Sequence, residues 1–186
     1  MTKTLVIFNG PIGSGKDYIV DTYIRTFSKG VTVKFAQPIR DAAISTFEHL
    51  TSDNFEDKKS MPLFPDNDIT LRQWMIEFGE TLMKPMFGDG IFGKLTAVNV
   101  NKMFNTSDIV FITDSGFSDE FNSLIENIDN GIRCVLIHLH REDHDFSNDS
   151  RSYINITNDN VTIVELHNSG PIESSISTLH DIITDG

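Results

Sequence analysis

The feature that most constrains this chain is Gly10-Pro11-Ile12-Gly13-Ser14-Gly15-Lys16, set between the apolar run Thr4–Phe8 (TLVIF) and a helical pattern from Asp17. Glycine, four residues, glycine and lysine is the spacing of a phosphate-binding loop. Bare glycines let successive backbone N–H groups converge on phosphate oxygens. The helix N-terminus adds partial positive charge, and Lys16 reaches the β- and γ-phosphates. A glycine-rich turn with a chance lysine would carry the same letters, but the buried strand before it and the helix start after it favour the phosphate loop. The expected ATP site is therefore Gly10, Ile12, Gly13, Ser14, Gly15, Lys16, Asp17 and Tyr18, with Lys16 as a catalytic group. Asp17 stands where such loops carry a hydroxyl that touches Mg²⁺. Because Mg²⁺ keeps much of its water shell, a carboxylate here is expected to hold it through water.

Further buried runs recur at Val31–Phe35, Asp108–Thr113 (DIVFIT), Ile132–Leu139 (IRCVLIHL) and Val161–Leu166. Helical patterns separate them at Asp17–Phe27, Pro38–Leu50, Ile69–Phe104 (broken at Gly88-Asp89-Gly90), Ser118–Ile128 and Ile172–Ile183. Strands alternating with helices predict an α/β fold: one domain over residues 1–186, its five-stranded parallel sheet covered by helices on both faces. Thr51–Asp68 is polar, holds Pro62 and Pro65, and reads as a loop. His140–Asn160 is polar and acidic with little apolar periodicity.

Charge narrows the partners. Fifteen basic residues among 27 acidic ones leave a formal net charge of -12, a poor surface for a nucleic-acid polymer, whose binding draws on clustered Lys and Arg. A small phosphorylated molecule held by a few local cations fits better. No apolar run reaches the ~20 residues of a membrane span. The N-terminal residues lack a secretory pattern, and the single cysteine, Cys134, fits a reducing cytoplasm. N-x-[S/T] triplets at Asn105, Asn148 and Asn155 then read as composition.

The segments GSGKD, FAQPIRDA, LRQWMIEFGETL, DIVFITDSGFSDE, VLIHLHR, SNDSR and HNSGPIESSI, in this order from Gly10 to about Ile183, resemble the tailed-phage deoxynucleoside monophosphate kinases. More distantly the chain is similar to the phosphomevalonate kinases, within the nucleoside-monophosphate-kinase group of P-loop proteins. The resemblance implies an adenylate-kinase-like fold with a lid, ATP and Mg²⁺ as cofactors, a deoxynucleoside monophosphate as acceptor, and host cytoplasm for a phage-encoded chain. It makes Asp17 a mark of one branch, since an SGKD loop is usual there. It places an acceptor-binding helical region at about 38–104, with Arg40 and Arg72 as clamps for the monophosphate, and a lid at about 140–160. Arg141 and Arg151 would carry positive charge from that lid to the transferring phosphoryl group. Asn168, with Ser169 and Gly170, resembles the turn beneath the donor adenine. Many relatives have arginine two residues after the strand-end aspartate, where this chain has Gly116.

Each assignment has a plainer counterpart. Arg40 and Arg72 also suit a solvated helix face, and Arg141 and Arg151 would neutralise Glu142, Asp143 and Asp145. Gln73 and Glu77, on the polar side of their helix, would reach the acceptor's base or sugar, or only water. Asp114, at the end of DIVFIT, would sit near the Mg²⁺ shell and the acceptor, or cap the next helix. Asp119 and Glu120 read as the solvated start of that helix. Rival functions are a small-molecule kinase of the phosphomevalonate or dephospho-coenzyme-A type and an ATP-binding switch module. A homodimer is left open.

Overall fold

The computed structural model describes residues 2–147 and 149–185; Asn148, of the SNDSR segment, lies outside the described residues. The chain runs β1 (Thr4–Asn9), α1 (Lys16–Phe27), β2 (Val31–Val33), α2 (Gln37–Thr46), α3 (Phe55–Lys58), β3 (Pro62–Phe64), β4 (Asn67–Thr70) and α4 (Leu71–Glu77). A π-helical segment (Phe78–Met83) leads into α5 (Lys84–Phe87), α6 (Ile91–Met103), β5 (Ile109–Ser115), α7 (Ser118–Asn127), β6 (Arg133–His140), β7 (Val161–His167) and α8 (Ile172–Thr184).

The five strands expected from the apolar runs form one sheet in the order β2-β5-β1-β6-β7, and every pairing is parallel. Parallel neighbours require crossovers, which the helices supply. β5 and β6 follow each other in the chain yet flank β1 on opposite sides. The crevice at the carboxyl end of β1 is thus the switch point where open α/β sheets bind ligands. The glycine loop sits there because it continues β1.

Alternation within β1 divides the core. Leu5 and Ile7 face one side with Val110, Ile112, Val100, Phe121 and Leu124, while Val6 and Phe8 face the other with Ile19, Val20, Tyr23, Ile176 and Leu179. All four β1 side chains are fully buried, each worth ~1.5–3 kcal/mol relative to exposure. The strand is therefore a rigid base for the loop.

The excursion between β2 and α6 has a third cluster of its own, Ala43, Phe47, Leu50, Phe55, Leu63 and Leu71. Here the expected loop at 51–68 is corrected: it contains α3 and the hairpin β3–β4. Its prolines shape that hairpin. Pro62 opens β3, where a missing N–H is tolerated, and Pro65 follows directly in the turn. The expected break at Gly88 is present, with φ of 88°. The π-helical segment before it was not expected. It precedes Pro85, which cannot donate to the preceding turn and whose ring crowds that turn's carbonyl.

Residues 140–160 also divide differently from expectation. Arg141 and His144 close a short bridged turn. From Arg151 onward, however, the chain is a strap on the sheet rather than a projection. Ile154 is wholly buried in the core, and Ile156 packs beside it. Asn9 ties the strap down: its Nδ2 donates to Ser115 O (3.2 Å) and Ser152 O (3.1 Å), and its Oδ1 accepts from Ile154 N (2.7 Å). His138 Nε2 donates to Ile154 O at 3.0 Å. Two isolated isoleucines give no readable period, so the sequence hides this segment.

Candidate active site

Gly15 caps α1 with φ of 99°, a left-handed conformation that a side chain would oppose. It turns the chain so that the N-terminus of α1 points into the crevice. Lys16, the first residue of α1, is only 7% exposed. Its Nζ curls back on the loop, donating to Gly10 O (2.6 Å), Pro11 O (2.7 Å) and Ser14 Oγ (3.4 Å). Burial, together with the neighbouring Arg151 charge, lowers its pKa to about 8, against the opposing pull of Asp17, Asp149 and Asp114. The ammonium is thus costly to hold charged in the loop, and anionic phosphate oxygens would relieve that cost.

Arg141 stands on the same loop, and Arg151 lies close enough for its charge to act on Lys16. Arg141 Nη1 donates to Gly13 O at 2.8 Å. Arg151 is gripped along one edge by Asp149, with Nε at 2.9 and 3.1 Å and Nη2 at 2.5 Å from the carboxylate oxygens. Only 19% of the Arg151 side chain is exposed. Arg151 does neutralise an acid, but that acid is Asp149 rather than the run at 142–145.

Asp17 accepts from Thr113 Oγ1 (2.7 Å) and Lys34 Nζ (3.0 Å), both at Oδ1. Burial pushes its pKa up, but those hydrogen bonds and the Lys34 charge outweigh burial and hold it below the ordinary carboxylate value. Oδ2 has no hydrogen-bond partner among the described residues. Asp114 does not cap α7, whose N-cap is Phe117. Its oxygens instead accept from Phe35 N and Ala36 N, each at 3.0 Å, and pin the β2–α2 connection to β5. Burial raises its pKa, and the two amides oppose that rise.

A cavity of about 680 Å³ opens beside the loop, lined by Gly15, Tyr18, Arg141, His144, Asn168 and Ile172 among others. Asn168 Nδ2 donates to Ser14 O at 2.8 Å and so braces the loop from the β7–α8 turn. The size suits a nucleoside. Ile12 and Tyr18 are exposed, at 67% and 58%.

Other expected site residues are not drawn to the loop. Arg40 pairs with Glu56 and lies over the Phe55 ring, 4.2 Å from its centroid. Gln73 completes a capping box with Thr70 at the start of α4, so its side chain is committed locally. Arg72 is exposed, and Glu77 accepts from Thr81 Oγ1 at 2.7 Å. Glu120 corrects an expectation: it is buried, 3.7 Å from Lys84 Nζ, and burial raises its pKa to about 7. Its spacing on α7 places it one turn before Leu124, and only that period hinted at burial.

No group of three or more His, Cys, Asp or Glu that could hold a metal occurs among the described residues. Mg²⁺ needs no such cage, since one or two carboxylates plus substrate phosphates and water suffice. Asp17, ionised and with Oδ2 uncommitted, fits that requirement. No described helix is long and apolar enough to cross a membrane.

No protein-family model matches this sequence, and no curated protein matches it either. Among solved structures, the fold is similar to an unliganded sugar kinase from Janibacter sp. HTCC2649, at 12% identity and a TM-score of 0.44, over 96% of this chain and 92% of that one. It is also similar to a gluconokinase from Sinorhizobium meliloti 1021, at 12% identity and a TM-score of 0.36, over 98% of this chain and 96% of that one. At these scores neither likeness carries an argument, and what stands is the chain's own architecture: a five-stranded parallel α/β sheet with a glycine-rich loop at the carboxyl end of its central strand.

Proposed function

We propose that this protein transfers the γ-phosphoryl group of ATP to a deoxynucleoside 5′-monophosphate. The observation that carries the reading is the gathering of Lys16, Arg141 and Arg151 about one glycine loop in a chain of net charge -12. Cations this concentrated in an acidic protein suit a compact polyanion.

In this reading ATP phosphates lie on the amides of residues 13–16, and Lys16 Nζ exchanges loop carbonyls for phosphate oxygens. The nucleoside fills the cavity between Arg141 and Asn168. Asp17 would hold a hydrated Mg²⁺, whose chemistry is to neutralise the β- and γ-oxygens. An acceptor phosphate oxygen attacks Pγ, the Pγ–O bond to ADP breaks, and its electron pair stays on the β-phosphate. Arg151 and Arg141 offset charge on the equatorial oxygens.

A phosphate acceptor is favoured over an alcohol by Asp114. Both its oxygens hold backbone amides, so it serves as an anchor, whereas a hydroxyl acceptor calls for a base within reach of the proton. A phosphate oxygen is already anionic and needs none. The deoxynucleoside itself comes from the motif resemblance, with Arg40 and Arg72 as its clamps.

The test is coupled ADP release with ATP against every deoxy- and ribonucleoside monophosphate, beside phosphomevalonate, dephospho-coenzyme A and no acceptor. Turnover is expected with one or more deoxynucleotides. Turnover with only the other acceptors would replace this reading, and slow acceptor-independent release would point to a switch.

A further inference from the structure

The phosphate loop leaves one arrangement unexplained. Arg151 belongs to the strap, yet its stem lies across the end of β5 at Gly116. A Cβ built on Gly116 would fall 2.4 Å from Arg151 Cδ, 2.5 Å from Cγ and 2.6 Å from Cβ. Real Cβ atoms do not approach that closely. Since the contact includes Arg151 Cβ, the strap backbone itself would have to shift, and no rotamer change suffices. Ser152 N also donates to Gly116 O at 3.5 Å, so backbone lies on backbone at this point.

The second half of the arrangement is Asp149. Its carboxylate takes the Nε–Nη2 edge of Arg151 and leaves the Nη1 edge without a partner among the described residues. A guanidinium has five donors in a rigid fork, so one edge can be held while another receives an anion. Strap, glycine and carboxylate therefore fix this cation from three sides beside the loop, before any ligand arrives.

We infer that Gly116 and Asp149 are positioning residues that seat Arg151 as a pre-placed phosphate receptor, with Gly116 supplying the bare backbone its stem crosses and Asp149 orienting its fork. The inference rests on the phosphotransferase reading for its catalytic consequence, but the seating can be measured without turnover. Preorganised charge of this kind gains its effect by not having to be assembled during reaction.

The experiment compares Gly116→Ala, Arg151→Ala, and Gly116→Ala combined with Arg151→Gly. First, the Arg151 Nε–H is observed by NMR in the ligand-free protein and assigned by its loss in Arg151→Ala. The Asp149 contact sets it apart from a free guanidinium signal, and Gly116→Ala is expected to return it to the free position. Second, in the kinase assay Arg151→Ala should lower kcat by ~10²-fold, and Gly116→Ala should approach that loss. Combined with Arg151→Gly, which removes the Cβ as well as the stem, Gly116→Ala should cost no more than the loss of Arg151 alone. If Gly116→Ala fails to fold, that combination should restore folding.

Asp149→Asn keeps shape and loses the ionic grip. It is expected to lower kcat ~10-fold in the native background and to change nothing beside Arg151→Ala. Additive losses, or a Gly116→Ala protein with lowered melting temperature but a native Arg151 Nε–H signal and kcat, would overturn the inference. Absence of kinase activity in the native protein would sink the proposed reaction instead, and leave the Arg151 signal to judge the seating.

Discussion

The two ends of the proposed reaction path are built to different degrees. Around the glycine loop, side chains are committed to partners: buried Lys16 to its own loop, Arg141 to Gly13, Asn168 to Ser14, Arg151 to Asp149. In the excursion between β2 and α6, the expected acceptor residues are occupied locally or face water. Arg40 is held by Glu56, Gln73 by the α4 cap, and Arg72 is exposed. The excursion also carries its own small core, apart from the two clusters that flank the sheet. On the proposed reaction the loop is a preassembled donor side and the excursion an acceptor side that is not, which predicts closure on the second substrate. The difference teaches that charge is positioned at the sheet end, while the arginines of the excursion are held or exposed apart from it.

Lys16→Ala should break the donor side outright. Loss of this ammonium is expected to lower kcat by ~10²-fold or more, while circular dichroism and melting show a retained fold. Near-native turnover would end the phosphate-loop assignment.

The acceptor side should fail differently. Arg72→Ala is expected to raise the monophosphate KM ~10-fold with kcat little changed, the signature of lost ground-state binding, whereas Arg151→Ala lowers kcat. Arg40→Ala should add a loss of stability of ~1 kcal/mol, because its guanidinium also stacks on Phe55. Equal effects of Arg72 and Arg151 on ATP affinity alone would erase the distinction between the two ends.

How much of this was legible follows the physics of each segment. Continuous apolar runs such as TLVIF and DIVFIT bury both faces in a parallel sheet, so all five strands of the sheet could be read. The loop was legible because its backbone geometry demands glycine at fixed spacing. The strap and the β3–β4 hairpin were not: Ile154 is a lone buried residue between Tyr153 and Asn155, and Leu63 lies between Pro62 and Pro65, whose spacing reads as a break. Asn9 follows the apolar run of β1, and only the fold brings it to Ser152 and Ile154, far along the chain. Gly116 was visible as a departure from the resemblance, but its contact with Arg151 is tertiary.

A smaller effect sharpens the donor side through pH. With the Lys16 pKa at about 8, the protonated form that the proposed reaction needs for phosphate binding is depleted above that pH. The kcat/KM for ATP is therefore expected to fall ~10-fold per pH unit above about 8, reporting the free enzyme. Bound phosphates favour the ammonium, so kcat should fall only at higher pH. Lys16→Arg, whatever its rate, should lack the fall, because a guanidinium stays charged.

Glu120 gives the smallest effect and tests the joint between the two regions, for it lies on α7 and faces Lys84 of α5. Burial raises its pKa to about 7, against the attraction of Lys84. The folded state therefore binds more protons than the unfolded chain between about 4.5 and 7. Stability should fall as pH rises through that window, and the full cost is present above it. Glu120→Gln removes the ionisation but keeps the shape. It should stabilise the protein by ~1–2 kcal/mol at pH 8, part of the gain being offset by the lost Lys84 attraction. At pH 4.5 the gain should vanish, since the native carboxyl is then protonated in the fold. For a chain of this size that corresponds to ~2–8 °C in Tm at pH 8. A variant less stable than the native protein at pH 8 would show that the Lys84–Glu120 pair holds the acceptor region to the sheet, and that the joint is an ion pair rather than a strained carboxyl.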